Sequence, residues 1–363
     1  ETSVALDNAL EHTSIEGKKV WNDGDNIYHT RPGSSASSDA WSVAFLLQRT
    51  TREDGSFDSW EWVTEYGSAL ESKSDWSSWD DPSIVSVEIT NKDEDATAKF
   101  ENLPKYDNEG NQYRYRLVEV TPKGYTPGNG SAAYTDPETG DVLWVVDATQ
   151  ESGIDSYSFK NDLVKTQFSG TKTWEDYGTG FTPDFSGDSA PNIQLKLYRK
   201  AGESGVTEGV TYQQNGGQPT WSKGEDGTWT YTYMNLPKYD QKGVEYIYWA
   251  LEEAGSVEGF YPAYPEGDTG NKIVNTATRF TLDKVCADAY DGEALNGVEL
   301  TITGEGGKTF AVWSRDEAGQ ISSKVWRQGT DDVSQGGAEM TGDNAGWIVG
   351  LPAGGYTITE TKT

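Results

Sequence analysis

Three residue types recur in one order along this 363-residue chain, and together they could make an amide bond. Lys19, Glu119 and Asn161 are followed by Lys172, Glu252 and Asn275, and then by Lys284 and Glu360. Side chains two apart on a strand share a face. Ile15, Gly17, Lys19 and Trp21 therefore form one row, as do Phe168, Gly170, Lys172 and Trp174, and Phe280, Leu282, Lys284 and Cys286. The glutamates end rows of the same kind: Tyr113, Tyr115, Leu117 and Glu119; Tyr246, Tyr248, Ala250 and Glu252; Tyr356, Ile358 and Glu360. Asn161 shares a face with Tyr157, Phe159 and Leu163, and Asn275 with Ile273. Parity thus places each polar residue in an apolar row, on the face expected to be buried.

Buried ionisable groups pair or neutralise, because an isolated charge in a core costs several kcal/mol. Burial lowers the pKa of a lysine and raises that of a glutamate. A neutral amine beside a protonated carboxyl and a carboxamide is a reactive set. The amine can attack the Asn side-chain carbonyl while the glutamic acid polarises it and shuttles protons to departing ammonia. Folding supplies the proximity, worth up to roughly 7–11 kcal/mol in well-oriented cases. For one triplet, an ordinary ion pair at the core rim would be the better reading, since buried ionisable residues are only pointers to function. Two complete triplets in one order and a partial third reverse that weighting.

The elements that must hold these residues are strands in repeats. NLPKYD occurs at Asn102–Asp107 and again at Asn235–Asp240. Each copy follows a Gly-x-Lys-x-Trp segment and precedes a Tyr-x-Tyr-x-x-x-Glu segment, and each unit closes on an Asn-bearing alternating run. Short alternating runs such as Val43–Leu47, Ile193–Tyr198, Trp229–Tyr233 and Val298–Ile302 are bounded by Gly, Pro, Asn and Asp, the pattern of a β-sandwich. No long segment carries a helical period. Val4, Leu6, Asn8 and Leu10 alternate like Tyr157, Phe159, Asn161 and Leu163, so the first residues read as the end of a preceding repeat. The third unit stops at Thr363 without a closing Asn, which leaves Lys284 and Asn8 unpaired within the chain.

In these motifs the units resemble the B-type domains of Gram-positive collagen adhesins, found also in pilins and other cell-wall-anchored proteins. The likeness rests on GTKTW at Gly170–Trp174, both NLPKYD copies, the two Tyr-x-Tyr-x-x-x-Glu segments and the Asn-bearing strands; GLPAGGYTITET at Gly350–Thr361 is similar to a pilin variant. The resemblance implies tandem immunoglobulin-like sandwiches arranged end to end, each locked by an autocatalytic Lys–Asn isopeptide bond between its first and last strands. Carried over, the crosslinks are Lys19–Asn161 and Lys172–Asn275, with Glu119, Glu252 and Glu360 as the catalytic acids. The expected divisions are 1–14, a strand left from an earlier repeat; 15–166; 167–278; and 279–363, which lacks its last strand. The first unit departs from the pattern through an insert over Thr51–Ser83 and a further hairpin-like stretch around Pro137–Ser152.

Composition narrows the alternatives. Lys and Arg total 29 against 59 Asp and Glu, a net charge of −30, which repels nucleic acid and anionic membranes. Cys286 is the single cysteine and His12 and His29 the only histidines, which excludes an intrachain disulfide and the common Cys/His zinc sites. No cofactor or metal is expected; Asp80-Asp81 and Asp93-Glu94-Asp95 fit no twelve-residue calcium loop and read as solvated surface. Leu351-Pro-Ala-Gly-Gly looks like a sorting signal but lacks an apolar tail, and fits a turn into a strand. No Tyr-Pro-Lys motif is present, which argues against a major shaft pilin.

The expected function is a structural stalk of a surface adhesin or minor pilin, outside the cell and anchored to the wall through segments beyond this sequence. It is not expected to be an enzyme acting on external substrates, and its expected partners are further tandem domains of the same polypeptide. The alternative is a module binding host matrix or glycan through Trp60, Trp62, Trp76 and Trp79 of the insert. The competing reading, favoured here, is that these tryptophans form a satellite core, since Trp is highly buried on average.

Overall fold

Alternating segments rich in Val, Ile, Thr, Tyr and Trp suit a pleated, half-buried surface, and the chain folds almost wholly into strands. The computed structural model describes residues 9–53, 59–66, 69–73, 84–91, 97–136, 140–181, 193–226, 228–265, 271–286, 293–327 and 332–362. The chain divides into two units, one of Glu1–Thr166 with Ala201–Gly205 and Pro237–Tyr246, the other of Gln167–Lys200, Val206–Leu236 and Ile247–Thr363.

The first unit begins with β1 (His12–Asn22), β2 (Trp41–Thr50), β3 (Glu61–Tyr66), β4 (Ala69–Lys73), β5 (Ser86–Asn91) and β6 (Thr97–Pro104). It continues with β7 (Arg114–Val120), β8 (Tyr125–Pro127), β9 (Ser131–Thr135), β10 (Val142–Val145), β11 (Thr149–Glu151) and β12 (Ile154–Leu163). One sheet runs β11-β12-β1-β6, with β8 on β12; the other runs β4-β3-β2-β7-β10-β9, with β5 on β2. The first and last strands, β1 and β12, are parallel neighbours. Ile15, Phe100, Tyr157 and Phe159 of one sheet pack on Phe45, Leu47, Tyr115 and Leu117 of the other.

The second sheet is covered on both faces. The C-terminal half of β2 shows no in–out alternation, because Leu46 is as buried as Phe45 and Leu47. Leu46, Trp62, Ile84, Val118 and Leu143 form a second apolar cluster. The insert and the β9–β10 hairpin supply Trp62, Ile84 and Leu143 to it. That hairpin spans Ser131–Val145, starting earlier than the Pro137–Ser152 reading of the sequence, because β10, which pairs with β7 on one side, takes Ser131–Thr135 as its partner on the other.

The second unit opens with β13 (Lys165–Glu175), β14 (Leu195–Ala201), β15 (Glu208–Val210), β16 (Thr220–Lys223) and β17 (Trp229–Pro237). Next come β18 (Tyr246–Glu252), β19 (Phe260–Ala263) and β20 (Lys272–Ala277). The sheets are β16-β17-β13-β20-β19 and β15-β14-β18, with β13 and β20 again parallel. A single residue, Thr278, separates β20 from β21 (Arg279–Thr281). Then follow β22 (Val298–Thr303), β23 (Thr309–Arg315), β24 (Ile321–Val325), β25 (Ala338–Met340), β26 (Trp347–Val349) and β27 (Thr357–Lys362), in sheets β25-β24-β23-β22-β27 and β21-β26. Among the described residues no helix is long and apolar enough to cross a membrane.

The repeated hexapeptide has a local explanation. Asn102 and Asn235 both adopt positive φ, at 58° and 55°. That left-handed conformation is open to Asn and costly for a β-branched residue. The closing Asp builds the next loop: Asp107 Oδ1 accepts from the amides of Glu109 and Asn111, and Asp240 Oδ1 from those of Lys242 and Val244.

Candidate isopeptide sites

The β1–β12 register pairs Lys19 with Phe159 and Trp21 with Asn161; the β13–β20 register pairs Lys172 with Ile273 and Trp174 with Asn275. In each sandwich, then, the Lys lies one strand across from the Asn and two residues away along it. Both side chains enter the core from one sheet. The glutamate comes from the other: Glu119 on β7 pairs with Phe45 of β2, and Glu252 ends β18. Parallel pairing brings lysine and carboxamide together, and sandwich closure brings the acid to both.

Close approach across the core explains the Gly of Gly-x-Lys-x-Trp. A Cβ on Gly17 would lie 2.7 Å from Leu117 Cδ1, and one on Gly170 2.2 Å from Tyr231 Oη. The Trp of the motif lies against the amine: Lys19 Nζ is 4.5 Å from the Trp21 ring centroid, and Lys172 Nζ 5.0 Å from that of Trp174. The sequence showed both residues as pattern; their contribution is visible only in the packing.

In the first sandwich Lys19, Glu119 and Asn161 are all at most 1% exposed. Lys19 Nζ and Glu119 Oε1 form an ion pair at 2.6 Å, and among the described residues neither polar atom of Asn161 meets a well-formed hydrogen-bond partner. Burial depresses the Lys19 amine below the usual lysine range, with Glu119 opposing the shift. Burial likewise raises the Glu119 carboxyl, against the pull of Lys19. Both displacements favour the uncharged forms.

The second site is better connected. Lys172 donates to Glu252 Oε2, and Asn275 Nδ2 donates to Glu252 Oε1 at 2.9 Å. Glu252 thus bridges amine and carboxamide, while the buried Asn275 Oδ1 has no hydrogen-bond partner among the described residues. Burial holds the Lys172 amine down to about 8. The backbone of Glu252 is anchored by its N–H, which donates to Tyr264 Oη at 2.9 Å.

The third pair differs. Lys284 Nζ donates to Glu360 Oε2 at 2.8 Å, but the side chains are 34% and 27% exposed. Parity put Lys284 and Glu360 in buried rows; instead Phe280 is 40% and Ile358 51% exposed. Burial does not alternate along β21 or β27, and nothing among the described residues covers these rows to the depth seen in the other two sandwiches.

Sequence reasoning missed a buried polar cluster near the first site. Arg31 donates to both Asp23 oxygens at 2.7 and 2.8 Å, and Tyr125 Oη donates to Asp23 at 3.0 Å. Arg31 also lies 5.3 Å from the Trp21 ring. No spacing signal marked these residues, because their contacts are set by the loop after β1.

Of the four candidate platform tryptophans, Trp62 is 2% exposed within the second cluster, so it offers no binding face. Trp60 is half-buried under the Arg116 guanidinium, 4.3 Å from its ring centroid. Asn8, Trp76, Trp79 and the two acidic runs lie outside the described residues. Among the described residues no group of three or more His, Cys, Asp or Glu could hold a metal ion.

The fold and the paired first and last strands define an all-β protein of tandem sandwiches. Residues 79–140 and 168–276 match the family model of the Cna protein B-type domain. A collagen adhesin of Staphylococcus aureus is 24% identical over 310 residues, covering 82% of this chain and 19% of the adhesin. The chain therefore spans about a fifth of that relative's length. Among solved structures, a single B repeat unit of the S. aureus collagen-binding surface protein is 21% identical, covers 74% of this chain and 100% of its own, and has a TM-score of 0.23. The major pilin of Streptococcus pyogenes is 15% identical, covers 74% and 97%, and has a TM-score of 0.26.

Proposed function

We propose that this chain is a load-bearing stalk region of a Gram-positive surface adhesin or minor pilin, self-locked by Lys19–Asn161 and Lys172–Asn275 isopeptide bonds. The observation that carries the reading is the burial of two Lys–Glu–Asn sets, Lys and Asn from the first and last strands and Glu from the facing sheet, with both polar atoms of Asn161 and the Oδ1 of Asn275 lacking a hydrogen-bond partner among the described residues. Leaving buried polar atoms unsatisfied costs about 1–3 kcal/mol each. Amide formation removes the amine charge and the carboxamide NH₂ together.

The contacts support the following chemistry. The neutral Lys Nζ attacks Asn Cγ, while the protonated glutamate donates a hydrogen bond to the carbonyl oxygen as negative charge develops there. A proton leaves Nζ through the carboxyl group and reaches Nδ2. The Cγ–Nδ2 bond breaks, the Nζ–Cγ bond remains, and one ammonia departs. In the second site the Asn275 Nδ2 contact to Glu252 lies along that path. The acid is regenerated, so each domain turns over once and no external substrate is involved. The 15–166, 167–278 and 279–363 divisions belong to the same proposal, as do the extracellular, wall-anchored location and neighbouring domains as partners.

Intact-mass measurement tests this directly. The expected result is a deficit of one ammonia per bond, with Glu119→Ala and Glu252→Ala each restoring one. A mass equal to the unmodified sequence overturns the proposal.

A further inference from the structure

We propose that the C-terminal end of the second sandwich is a fitted docking surface for the third, so that the two move as one body. Consecutive domains ordinarily move relative to one another unless their interface is large or specific. Here the connection is one residue, and all three polar groups of Thr278 are engaged. Its N–H donates to Gly259 O at 2.8 Å, its carbonyl accepts from the Gly350 amide at 2.8 Å, and its hydroxyl donates to Leu351 O at 2.9 Å. The first acceptor belongs to the second sandwich and the other two partners to the third. Gly350 and Leu351 open the GLPAGG segment, so that turn has a second task beyond leading into β27.

Two further contacts surround this joint. The Arg279 guanidinium lies between two rings, 4.1 Å from the Tyr177 centroid and 4.6 Å from that of Trp347. Asn344 Nδ2 donates to Tyr177 O at 3.0 Å. Tyr177 is held at φ 52° in a loop whose shape is fixed by Asp176, which accepts from the amides of Gly178 and Phe181. The loop is therefore built in the second sandwich and presented to the third. Gly259 is keyed to the contact: at φ 78°, a Cβ there would lie 2.2 Å from Gly350 O.

The proposal does not depend on whether Lys172 and Asn275 are joined. It is tested in the full chain carrying Cys286→Ser, with nitroxides at Glu225→Cys and Gln320→Cys, by pulsed dipolar spectroscopy. A single narrow distance distribution is expected. Gly259→Ala and Arg279→Ala should each broaden it at least about twofold, since free domain motion is then the default. Amide exchange gives a second readout: Gly350 N–H should be protected in the parent and lose protection in both variants, with the β13 and β23 amides unchanged. A broad distribution in the parent overturns the proposal, as does an unchanged width in both variants. Should Gly259→Ala fail to fold, Arg279→Ala, at an exposed position, decides alone.

Discussion

Tension separates a locked sandwich from an ordinary one. If Lys19 and Asn161 are joined, force entering along β1 leaves along β12 through the side-chain bond. Residues 20–160, about 140 of them, never bear load. Fully extended at 3.3–3.6 Å each, they would span roughly 460–510 Å. The folded distance to subtract is small. The register places Lys19 one strand across and two residues along from Asn161, about 8 Å from the inter-strand spacing and rise. Glu119→Gln keeps the shape of the acid but cannot donate its proton, so the bond should not form. Single-molecule pulling of that variant should show a contour-length step of roughly 450–500 Å from the first sandwich, absent from the parent. A step of that size in the parent, or its absence from the variant, would refute the reasoning. The same loop closure should stabilise the parent by about 5 kcal/mol if the entropy model for disulfides transfers.

Bond formation in the second sandwich should depend on pH with a definite sign. With the Lys172 amine held down to about 8, the reactive neutral fraction falls about tenfold per unit below that value. The acid must also keep its proton, and its protonated fraction never rises with pH, so ammonia release after rapid refolding should not climb past about pH 8, where the amine is already neutral; a rate still rising above that value would contradict a neutral amine acting with a protonated acid. Gly170→Ala should cost about 1–3 kcal/mol through overpacking against Tyr231, read as a lower urea midpoint in a Glu252→Ala background where unfolding is reversible. An unchanged midpoint would mean that the close approach at Gly170 is not maintained in solution.

The sequence determined by itself that this is a strand protein with repeats, and which side of the Lys-, Glu- and Asn-bearing strands of the first two sandwiches faces in. A period of two leaves only two faces, and one of them carries Ile15, Phe159, Tyr115 and Tyr248, so Lys19, Asn161, Glu119 and Glu252 are assigned with them. Parity is a one-dimensional property, and it survives any choice of topology. Tertiary structure decided the rest. Parallel pairing of β1 with β12 sets the two-residue offset between Lys19 and Asn161, and no local pattern encodes a partner about 140 residues away. Closure of the facing sheet brings Glu119 over both, and it also explains Gly17, which is small because Leu117 lies where its Cβ would be. The insert tryptophans allowed either an exposed platform or a satellite core; a second apolar cluster on the outer face of β2 and β7 buries Trp62. At Lys284 and Glu360 the pattern continued while burial did not, because burial depends on which strands cover a row as well as on the row itself. The hydrogen bonds of Thr278 to Gly350 and Leu351 exist only once both sandwiches have folded around it.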